Sequence, residues 1–333
     1  MSPAAPLLSV VVIGRNEGDR LSRCLESIRA MRLPAGGSEI IYVDSASTDD
    51  SRQRAADAGA LVIPLEEGPH TAARGRNAGW RASQGRYVFF LDGDTQVDPD
   101  FVNRAMPAFE DRRIAVVWGH RRETAPHASL FNRVLDLDWI YPPGETEFCG
   151  GDALVRRSVL EEIGGYDEAL IAGEEPEMCN RIRSNGGIIM HLDLAMTGHD
   201  LAMTRWSQYW KRAQRAGHAY AQMAERSRES DLPLWNKEAR RNLQHSGALA
   251  FCALSGLCAM VCGFGAVGMA LALLWVGLIV RTAWRQRWKS RQWSTLLLYG
   301  IHSHLQQLPI TWGQLSYRRQ ARLGRQRGLI EYK

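Results

Sequence analysis

The sequence lacks the glycine-rich phosphate loops by which many proteins hold nucleotides. No GxGxxG follows the first apolar run, and no GxxxxGK[ST] occurs anywhere in the 333 residues. These absences exclude the pattern of a dinucleotide-binding fold and that of a P-loop. A nucleotide phosphate bound by this chain would therefore need a metal ion rather than a cradle of glycine backbone.

Cysteine is scarce and shows no structural spacing. The six cysteines form no CxxC pair, and half of them lie in one apolar segment. Neither a disulfide framework nor a zinc site is predicted from this pattern. The first residues also lack the basic start and long apolar stretch of a secretory signal. We therefore expect the main body of the protein to lie in the reducing cytoplasm.

Charge is absent from residues 247–280, GALAFCALSGLCAMVCGFGAVGMALALLWVGLIV. About 20 apolar residues span a bilayer, so this segment is predicted to enter the membrane. It is long for one helix and short for two, and Gly263-Phe264-Gly265 offers a turn near its middle. Basic residues flank it on both sides, which favours a hairpin with both ends in the cytoplasm. A single tilted helix and a re-entrant segment are the alternatives.

Acids are nearly absent from residues 281–333, which contain 11 lysines and arginines and one acid, although the whole chain carries a net charge of only +5. Such a basic tail is typical of contact with nucleic acid or with an anionic membrane. The neighbouring apolar segment favours membrane lipids and argues against nucleic acid. Residues 294–312 are predicted to form an interfacial helix, with a solvated basic tail as the alternative.

Residues 7–94 alternate between apolar runs and helical periodicity. The runs Leu7–Ile13, Ile40–Val43 and Tyr87–Leu91 are uninterrupted, and helical patterns separate them. This alternation predicts an α/β fold, Rossmann-like, whose mostly parallel sheet has helices on both faces. Ligands of such sheets bind beyond the carboxyl ends of the strands.

Acids follow three of these strands. Glu17 comes after the first, Asp44 after the second, and Asp92 and Asp94 come after the strand YVFFL. Turn chemistry alone explains Asp92 and Asp94, since Asp and Gly are natural where a strand ends. Their convergence with Glu17 and Asp44 at one edge of a sheet favours a divalent metal site instead.

Six segments occur along the chain in a specific order: VVIGRNEGDRL, YVDSASTDDS, ARGRNAGW, FFLDGDTQVDPDF, GGDALVRRSVLEEIGGYDE and AGEEPEMCNRIRSNGG. In order and spacing they resemble the family two glycosyltransferases of the GT-A fold, over residues 7 to 200. The resemblance implies an inverting transfer of one sugar from a nucleotide-diphosphate sugar donor, with Mg²⁺ or Mn²⁺ as cofactor. It also implies a GT-A catalytic domain, and the apolar segment adds C-terminal membrane helices to this fold.

The resemblance implies roles for five residues on the donor side. Asp92 and Asp94 match the Asp-x-Asp pair that holds the metal on the donor diphosphate. Asp44 matches the acid that recognises the base, and Glu17 lies where the family contacts the nucleoside. Arg76, in GRNAG, matches a basic residue beside the nucleotide. A helix cap at Asp44 and an exposed helix position at Arg76 are the structural alternatives.

Further roles are implied on the acceptor side. Gly151 and Asp152 match the acceptor-side loop. Glu175 matches the general base, and Glu174 can act in its place because glutamate is longer than the usual aspartate. His199 matches a histidine near the diphosphate and is a candidate third metal ligand, with a structural role as the alternative. The three acids 174, 175 and 177 can also serve only as the acidic first turn of a helix.

The predicted domains are a catalytic domain 1–225, a juxtamembrane linker 226–246, a transmembrane hairpin or segment 247–280, and a basic interfacial helix and tail 281–333. We predict a glycosyltransferase anchored in the inner (cytoplasmic) membrane, with its catalytic domain facing the cytoplasm. Its acceptor is expected to be a lipid-linked or membrane-proximal glycan in envelope glycan or glycolipid synthesis. A nucleotidyltransferase and a non-catalytic membrane scaffold that binds a nucleotide-sugar are the alternatives.

Overall fold

The computed structural model describes residues 6–229 and 232–324. The chain divides into two compact units, which are described separately below. The first unit consists of residues 1–124 and 139–201, and the second of residues 125–138 and 202–333. Residues 125–138 and 202–225, which lie inside the predicted catalytic domain 1–225, fall in the second unit. The predicted domain boundaries stay a prediction.

The first unit is built on one nine-stranded sheet. Its strands are β1 Leu8–Gly14, β2 Ser38–Asp44, β3 Leu61–Pro64, β4 Tyr87–Asp92, β5 Thr95–Val97, β6 Ile114–Glu123, β7 Gly144–Thr146, β8 Ala153–Arg156 and β9 Ile188–His199. The spatial order is β3-β2-β1-β4-β8-β6-β9-β5, and β7 pairs with β9. Strands β3, β2, β1 and β4 are all parallel, whereas β8, β5 and β7 pair antiparallel with their neighbours. The predicted α/β fold with a parallel sheet is confirmed, and its second half is mixed.

The described α-helices are α1 Asp19–Arg29, α2 Ser51–Asp57, α3 Ala72–Ala82, α4 Phe101–Ala105, α5 Leu130–Leu135, α6 Arg157–Ile163, α7 Glu174–Ser184, α8 Trp206–Arg226, α9 Asn236–Val261, α10 Gly265–Arg285, α11 Trp293–Leu305 and α12 Gln307–Arg322. Short 3-10 helices run over Met106–Glu110 and Asp136–Trp139. Helices α1–α4, α6 and α7 belong to the first unit, and α5 and α8–α12 belong to the second.

The core of the first unit lies around β1 and β4, whose residues Val10–Val12 and Phe89–Leu91 have no exposed surface. Helix α3 packs unusually close to β1. A Cβ atom added at Gly79 would lie 2.2 Å from Cγ1 of Val11, so no side chain fits between this helix and the strand. The second glycine of the GRNAG segment is therefore explained by packing, and α3 carries Arg76 to the carboxyl end of β4.

In the second unit, α8 and α12 cross where two glycines meet. A Cβ atom at Gly217 would lie 1.9 Å from the carbonyl oxygen of Ile310, and one at Gly313 would lie 2.1 Å from that of Gln214. Two helix backbones can approach this closely only where both lack a side chain. Helix α11 packs on α10 in the same way at Gly300.

Helices α9 and α10 occupy the segment predicted to enter the membrane. Residues 262–264 form the turn between them, where the sequence predicts one, and both helices are long and apolar enough to cross a bilayer. The first turns of α9 lie inside the predicted linker 226–246. The predicted interfacial helix 294–312 forms two helices, α11 and α12. The last part of the predicted tail, residues 325–333, lies outside the described residues.

Candidate functional site

The carboxyl ends of β1, β2 and β4 bring acids to one edge of the sheet, as predicted from the strand pattern. Glu17 lies just after β1, where its backbone N–H donates to Oγ of Ser51 at 3.1 Å and its carboxylate pairs with Arg20 at 2.9 Å. A Cβ atom at Gly93 would lie 3.0 Å from Cγ of Glu17. Glu17 is therefore packed against the turn that joins Asp92 to Asp94.

Asp44, the last residue of β2, is a buried anion with strong hydrogen bonds. Its Oδ2 accepts from the backbone N–H of Ser47 at 2.9 Å and from Nε of Arg52 at 2.7 Å. Burial raises its pKa, but the bonds from Ser47 and Arg52 outweigh burial and leave the pKa below its ordinary value. Asp44 does not cap α2, whose N-cap is Asp50, so the capping alternative is wrong.

Asp92, Asp94 and His199 form a cluster whose ligand atoms lie within 4.8 Å of one another. The sheet produces this arrangement. Asp92 ends β4 and Asp94 immediately precedes β5, while the antiparallel pairing of β5 with β9 sets Thr95 opposite His199. Nε2 of His199 then lies 3.1 Å from Oδ1 of Asp94, and both side chains are buried. The register of β5 on β9 therefore brings His199 next to Asp92 and Asp94, although Asp92 and His199 are 107 residues apart in sequence.

The donor set of this cluster fits a divalent ion. Two carboxylates and one imidazole suit Mn²⁺, which accepts oxygen and nitrogen ligands. Mg²⁺ prefers oxygen ligands and water, and Asp92 and Asp94 alone would supply the oxygens. His199 thus distinguishes the two predicted ions chemically.

Asp152 holds the backbone at the start of the turn that joins Asp92 to Asp94. It has no exposed surface, and its Oδ1 accepts from the backbone N–H of Asp92 at 3.1 Å while its Oδ2 accepts from Oγ1 of Thr197 at 2.9 Å. The acceptor-side role expected for Asp152 stays a prediction; in the structure its carboxylate lies against the backbone of Asp92. A fully buried carboxylate acts on the site through the backbone that it holds.

Arg76 is the central cation of the site. Its side chain is 2% exposed, so the alternative of an exposed helix position is wrong. Nη1 lies 3.0 Å from Oε1 of Glu174 and 3.1 Å from Oε1 of Glu175, and Nη2 lies 3.1 Å from Oδ1 of Asp92. One guanidinium from α3 therefore links the first turn of α7 to the end of β4. Its planar fork suits this task, since it can bind several carboxylates in fixed directions.

Glu175 differs from an ordinary glutamate in its proton affinity. Burial, followed by the negative charge of Glu174, raises the pKa of Glu175 to about 7, although Arg76 opposes the shift. The first turn of α7 contains Glu174, Glu175 and Glu177, as expected if the three acids only stabilise the start of a helix. Glu177, however, pairs with Arg181 on the same helix, at 2.8 Å. Position in the first turn therefore does not explain the contacts of Glu174 and Glu175 with Arg76.

Gly151 lies among these charged groups. A Cβ atom there would lie 2.6 Å from Nη2 of Arg76, 3.1 Å from Oδ2 of Asp92 and 3.3 Å from Oε1 of Glu175. Any side chain at this position would displace the guanidinium or fill the space in front of both carboxylates. The absence of a side chain at Gly151 therefore keeps the two acids facing a common gap.

The sequence does not single out Arg121 or Trp139, which the structure places at the site. Arg121 has a nitrogen 3.4 Å from Oδ2 of Asp92 and another 3.5 Å from Oδ2 of Asp152. Its guanidinium lies over the ring of Trp139, 4.7 Å from the centroid, and that ring meets His199 edge to face at 5.1 Å. The available signal was the run HRRE directly after IAVVWG: β6 continues through these residues to Glu123 instead of ending at His120.

A mixed α/β sheet with acids gathered at its strand ends defines a GT-A-like protein, and the comparisons with known proteins agree. Residues 9–164 match the family model described as Glycosyl transferase family 2. The mannosyltransferase PcManGT from Pyrobaculum calidifontis, solved with GDP-Man and Mn²⁺, superposes with a TM-score of 0.65 at 21% identity, over 89% of this chain and 86% of that one. Residues 1–349 of TarS from S. aureus, solved with UDP-GlcNAc, superpose with a TM-score of 0.52 at 15% identity, over 96% of this chain and 92% of that one.

Curated relatives are also named as glycosyltransferases. Glycosyltransferase AglE of Haloferax volcanii is 23% identical over 195 residues, 56% of this chain and 64% of AglE. The pre-mycofactocin glycosyltransferase of Mycobacterium tuberculosis is 27% identical over 244 residues, 68% of this chain and 49% of that protein. The matches thus span about half to two thirds of the length of these relatives. Residues 9–164 are thus similar to family 2 glycosyltransferases, and the chain resembles proteins named as glycosyltransferases over more than half of its length.

Proposed function

We propose that the protein transfers one sugar from a nucleotide-diphosphate sugar to an acceptor hydroxyl, with inversion at the anomeric carbon. One observation carries the proposal: the buried guanidinium of Arg76 contacts both a candidate base, Glu175, and a candidate metal ligand, Asp92, on either side of Gly151. A site for displacing a nucleoside diphosphate needs these two functions close together. The GDP-Man and Mn²⁺ of PcManGT and the UDP-GlcNAc of TarS support the donor class.

On the donor side, Asp92, Asp94 and His199 would hold Mg²⁺ or Mn²⁺. An ion bound there supplies Lewis-acid stabilisation of the negative charge on the departing diphosphate. The protein's own contribution is to hold the two carboxylates in place. Asp152 fixes the backbone of Asp92, and Arg76 fixes its side chain. Glu17 and Asp44 lie on the same edge and are proposed to contact the nucleoside and the base.

On the acceptor side, Glu175 is proposed to take the proton of the attacking hydroxyl. A carboxylate whose pKa is about 7 holds a proton more tightly than ordinary glutamate and still loses it near neutral pH, which suits a general base. Arg76 keeps Oε1 in a fixed position. Attack in a single displacement inverts the anomeric centre, and no covalent sugar–enzyme intermediate is required. Glu174 is proposed to hold Arg76 rather than to act as the base.

The activity is tested by measuring nucleotide release from UDP-, GDP- and dTDP-sugars by the full chain in detergent, with Mn²⁺, Mg²⁺ or EDTA, and with or without a membrane lipid extract. Asp94→Asn should lower turnover by about 10²- to 10³-fold. Glu175→Gln should lower kcat by about 10²- to 10⁴-fold while donor binding persists, because only proton removal is lost.

Glu177→Gln is the matched control, since it removes a carboxylate from the same helical turn that pairs with Arg181 instead of Arg76. It should keep activity within about threefold of the original protein. Equal losses for Glu175→Gln and Glu177→Gln would remove Glu175 from the mechanism. Metal-dependent donor binding with no release under any acceptor condition would support the scaffold alternative.

We also propose that the chain is anchored in the inner (cytoplasmic) membrane, with the first unit in the cytoplasm and a lipid-linked or membrane-proximal acceptor. The support is the pair α9 and α10, both long and apolar enough to enter a bilayer. Carbonate extraction of cell membranes tests the anchoring: the chain should stay in the pellet. Release into the supernatant would contradict it, whatever the outcome of the activity assay. Release of nucleotide that requires the lipid extract would support the acceptor class.

A further inference from the structure

The apolar hairpin, defined here as residues 247–280 of α9 and α10, has large side chains with most of their surface exposed. Phe251 is 71% exposed, Val261 is 80% exposed and Phe264 is 65% exposed. A patch of this size is not left in water, so something apolar covers it. Nearer the base, α11 packs on α10 at Gly300, but around the tip the exposed side chains lie on all sides of both helices. Their occupant must therefore be a surrounding solvent, namely lipid hydrocarbon.

The two arms of the apolar hairpin are packed against each other near its tip. A Cβ atom at Gly268 would lie 2.6 Å from Cγ of Met260 and 3.2 Å from the carbonyl oxygen of Gly256. Small residues at this crossing allow the helices to approach closely, as helix pairs do in membranes. The arms therefore form one closed antiparallel unit with both ends at the same level.

Charged and aromatic residues mark that level as a membrane surface. Arg240 and Arg241 precede the hairpin, and Arg281 follows it. Trp284 and Trp288 come within two turns of Arg281 and are 57% and 54% exposed. Arginine beside exposed tryptophan is typical of the headgroup region, where both residue types are enriched. The base of the hairpin thus carries the anchors for an anionic bilayer surface.

The tip of the hairpin carries no such anchors. Residues 256–270, GLCAMVCGFGAVGMA, contain no charged residue, hydroxyl, amide, histidine, tryptophan or tyrosine. Helices α9 and α10 in full are long enough to cross a bilayer, but their apolar parts, 247–261 and 265–280, extend only about 22 to 24 Å at about 1.5 Å per residue. A hydrocarbon core is about 30 Å thick, and tilting shortens the reach further. The tip therefore lacks the chemistry of a loop in the opposite headgroups, and reaching them would draw residues outside the apolar segment into the hydrocarbon.

The turn satisfies its own donors, which a turn within hydrocarbon must do. Gly263 has the left-handed φ of +83°, and the N–H of Phe264 donates to the carbonyl of Ala259 at 2.7 Å. The N–H groups of Cys262 and Gly263 also donate to carbonyls of the preceding turn. This C-terminal cap leaves the three turn N–H groups bonded within the chain.

We propose that the apolar hairpin is re-entrant: it enters the bilayer from the cytoplasmic face and returns to it, with its tip at residues 262–264 held inside the hydrocarbon. This inference rests on the membrane anchoring proposed above and adds to it that nothing of the chain between residues 247 and 280 reaches the far surface. The apolar hairpin is therefore proposed to contact the hydrocarbon of a lipid bilayer that it enters from the cytoplasmic side only.

Native Cys262 allows a direct test, since it is exposed at the tip. Cys252→Ala and Cys258→Ala leave it as the single thiol of the hairpin, and the remaining cysteines, Cys24, Cys149 and Cys179, are buried. Spheroplasts and inverted membrane vesicles are treated with a membrane-impermeant sulfonated maleimide. Maleimides react with the thiolate, which forms only in water. Cys262 should react from neither face and should become reactive when detergent is added.

A second variant provides the control for access. Lys237 is exposed in the first turn of α9, so a cysteine there reports the base of the hairpin. Lys237→Cys should react in inverted vesicles alone. Reaction of Cys262 in spheroplasts would overturn the proposal in favour of two full spans. Reaction of Cys262 from the same side as Lys237→Cys would show that the hairpin is not inserted in the bilayer. Release of the chain from the membrane by carbonate would instead contradict the membrane anchoring on which this proposal rests.

A depth measurement decides the same point without reactivity. A nitroxide attached to Cys262 in reconstituted vesicles of phosphatidylglycerol and phosphatidylethanolamine should be relaxed strongly by oxygen and weakly by a polar nickel chelate, as in hydrocarbon. The opposite ratio, equal to that of a nitroxide at Lys237→Cys, would place the tip in water and reject the re-entrant hairpin.

Discussion

Arg76 in the first unit is a charged residue with 2% of its side chain exposed, whereas Val261 in the second unit is an apolar residue with 80% of its surface exposed. Each arrangement is costly for an isolated chain in water, since buried charges lose hydration and exposed apolar surface is poorly hydrated. In the first unit the compensation is internal, because carboxylates surround Arg76. In the second unit it must come from outside the chain. Internal compensation is what a preorganised reaction site needs, and external compensation is what a membrane anchor needs.

The largest expected effect comes from removing the buried cation. Arg76→Met leaves Asp92, Glu174 and Glu175 without their shared guanidinium. Breaking a buried ion pair in this way costs about 3–5 kcal/mol, because uncompensated charge stays buried. Chemical denaturation of the detergent-solubilised chain, with and without EDTA, measures the loss. Adding Glu174→Gln to Arg76→Met should recover part of it, since one of the stranded acids is then neutral.

The control for this prediction is an ion pair at the surface of the same unit. Arg113 pairs with Asp111 at 2.7 Å but is 72% exposed. Arg113→Met should cost less than about 1 kcal/mol. If Arg76→Met and Arg113→Met lost the same free energy of unfolding, the ion pairs of Arg76 would be worth no more than a surface ion pair. The buried charge of the first unit would then need no internal compensation.

A smaller loss is expected when the glycine crossing of the second unit is filled. Gly313→Ala adds a methyl group 2.1 Å from the carbonyl oxygen of Gln214, so α12 must move away from α8. Overpacking of this kind costs about 1–3 kcal/mol. Melting followed by far-UV circular dichroism measures the loss. Gly277→Ala, on α10 with open space around its Cβ position, is the control and should be neutral or slightly stabilising. Equal melting temperatures for the two variants would contradict the close crossing.

Local pattern was sufficient to predict the α/β elements and the acids at the strand ends, because strand polarity fixes where Asp44, Asp92 and Asp94 lie. Contacts between distant segments could not be predicted in this way. Arg121 lies in the charged run HRRE after an apolar run, and this local pattern does not show that the strand continues. Strand β6 continues through HRRE because it pairs with β9. His302 was predicted to be part of an interfacial helix, yet it is buried and lies 2.8 Å from the hydroxyl of Tyr209, 93 residues away.

The smallest predicted effect concerns the pH dependence of the proposed transfer. Burial and the charge of Glu174 raise the pKa of Glu175 to about 7. A general base must be deprotonated, so kcat should fall as pH falls below about 7 and should level off above it.

Glu174→Gln removes the negative charge next to Glu175, while the positive charge of Arg76 stays beside Glu175. The acidic limb of the kcat profile should therefore move to lower pH by about one unit, or about 1.4 kcal/mol. Glu177→Gln should leave the limb in place, because Glu177 pairs with Arg181. The pH profiles of kcat for the three proteins, measured at saturating donor and Mn²⁺, check this. If the acidic limb of the kcat profile stayed at the same pH in Glu174→Gln, protonation of Glu175 would not limit the rate at low pH. The charge of Glu174 would then stabilise the site without setting the pKa of the base.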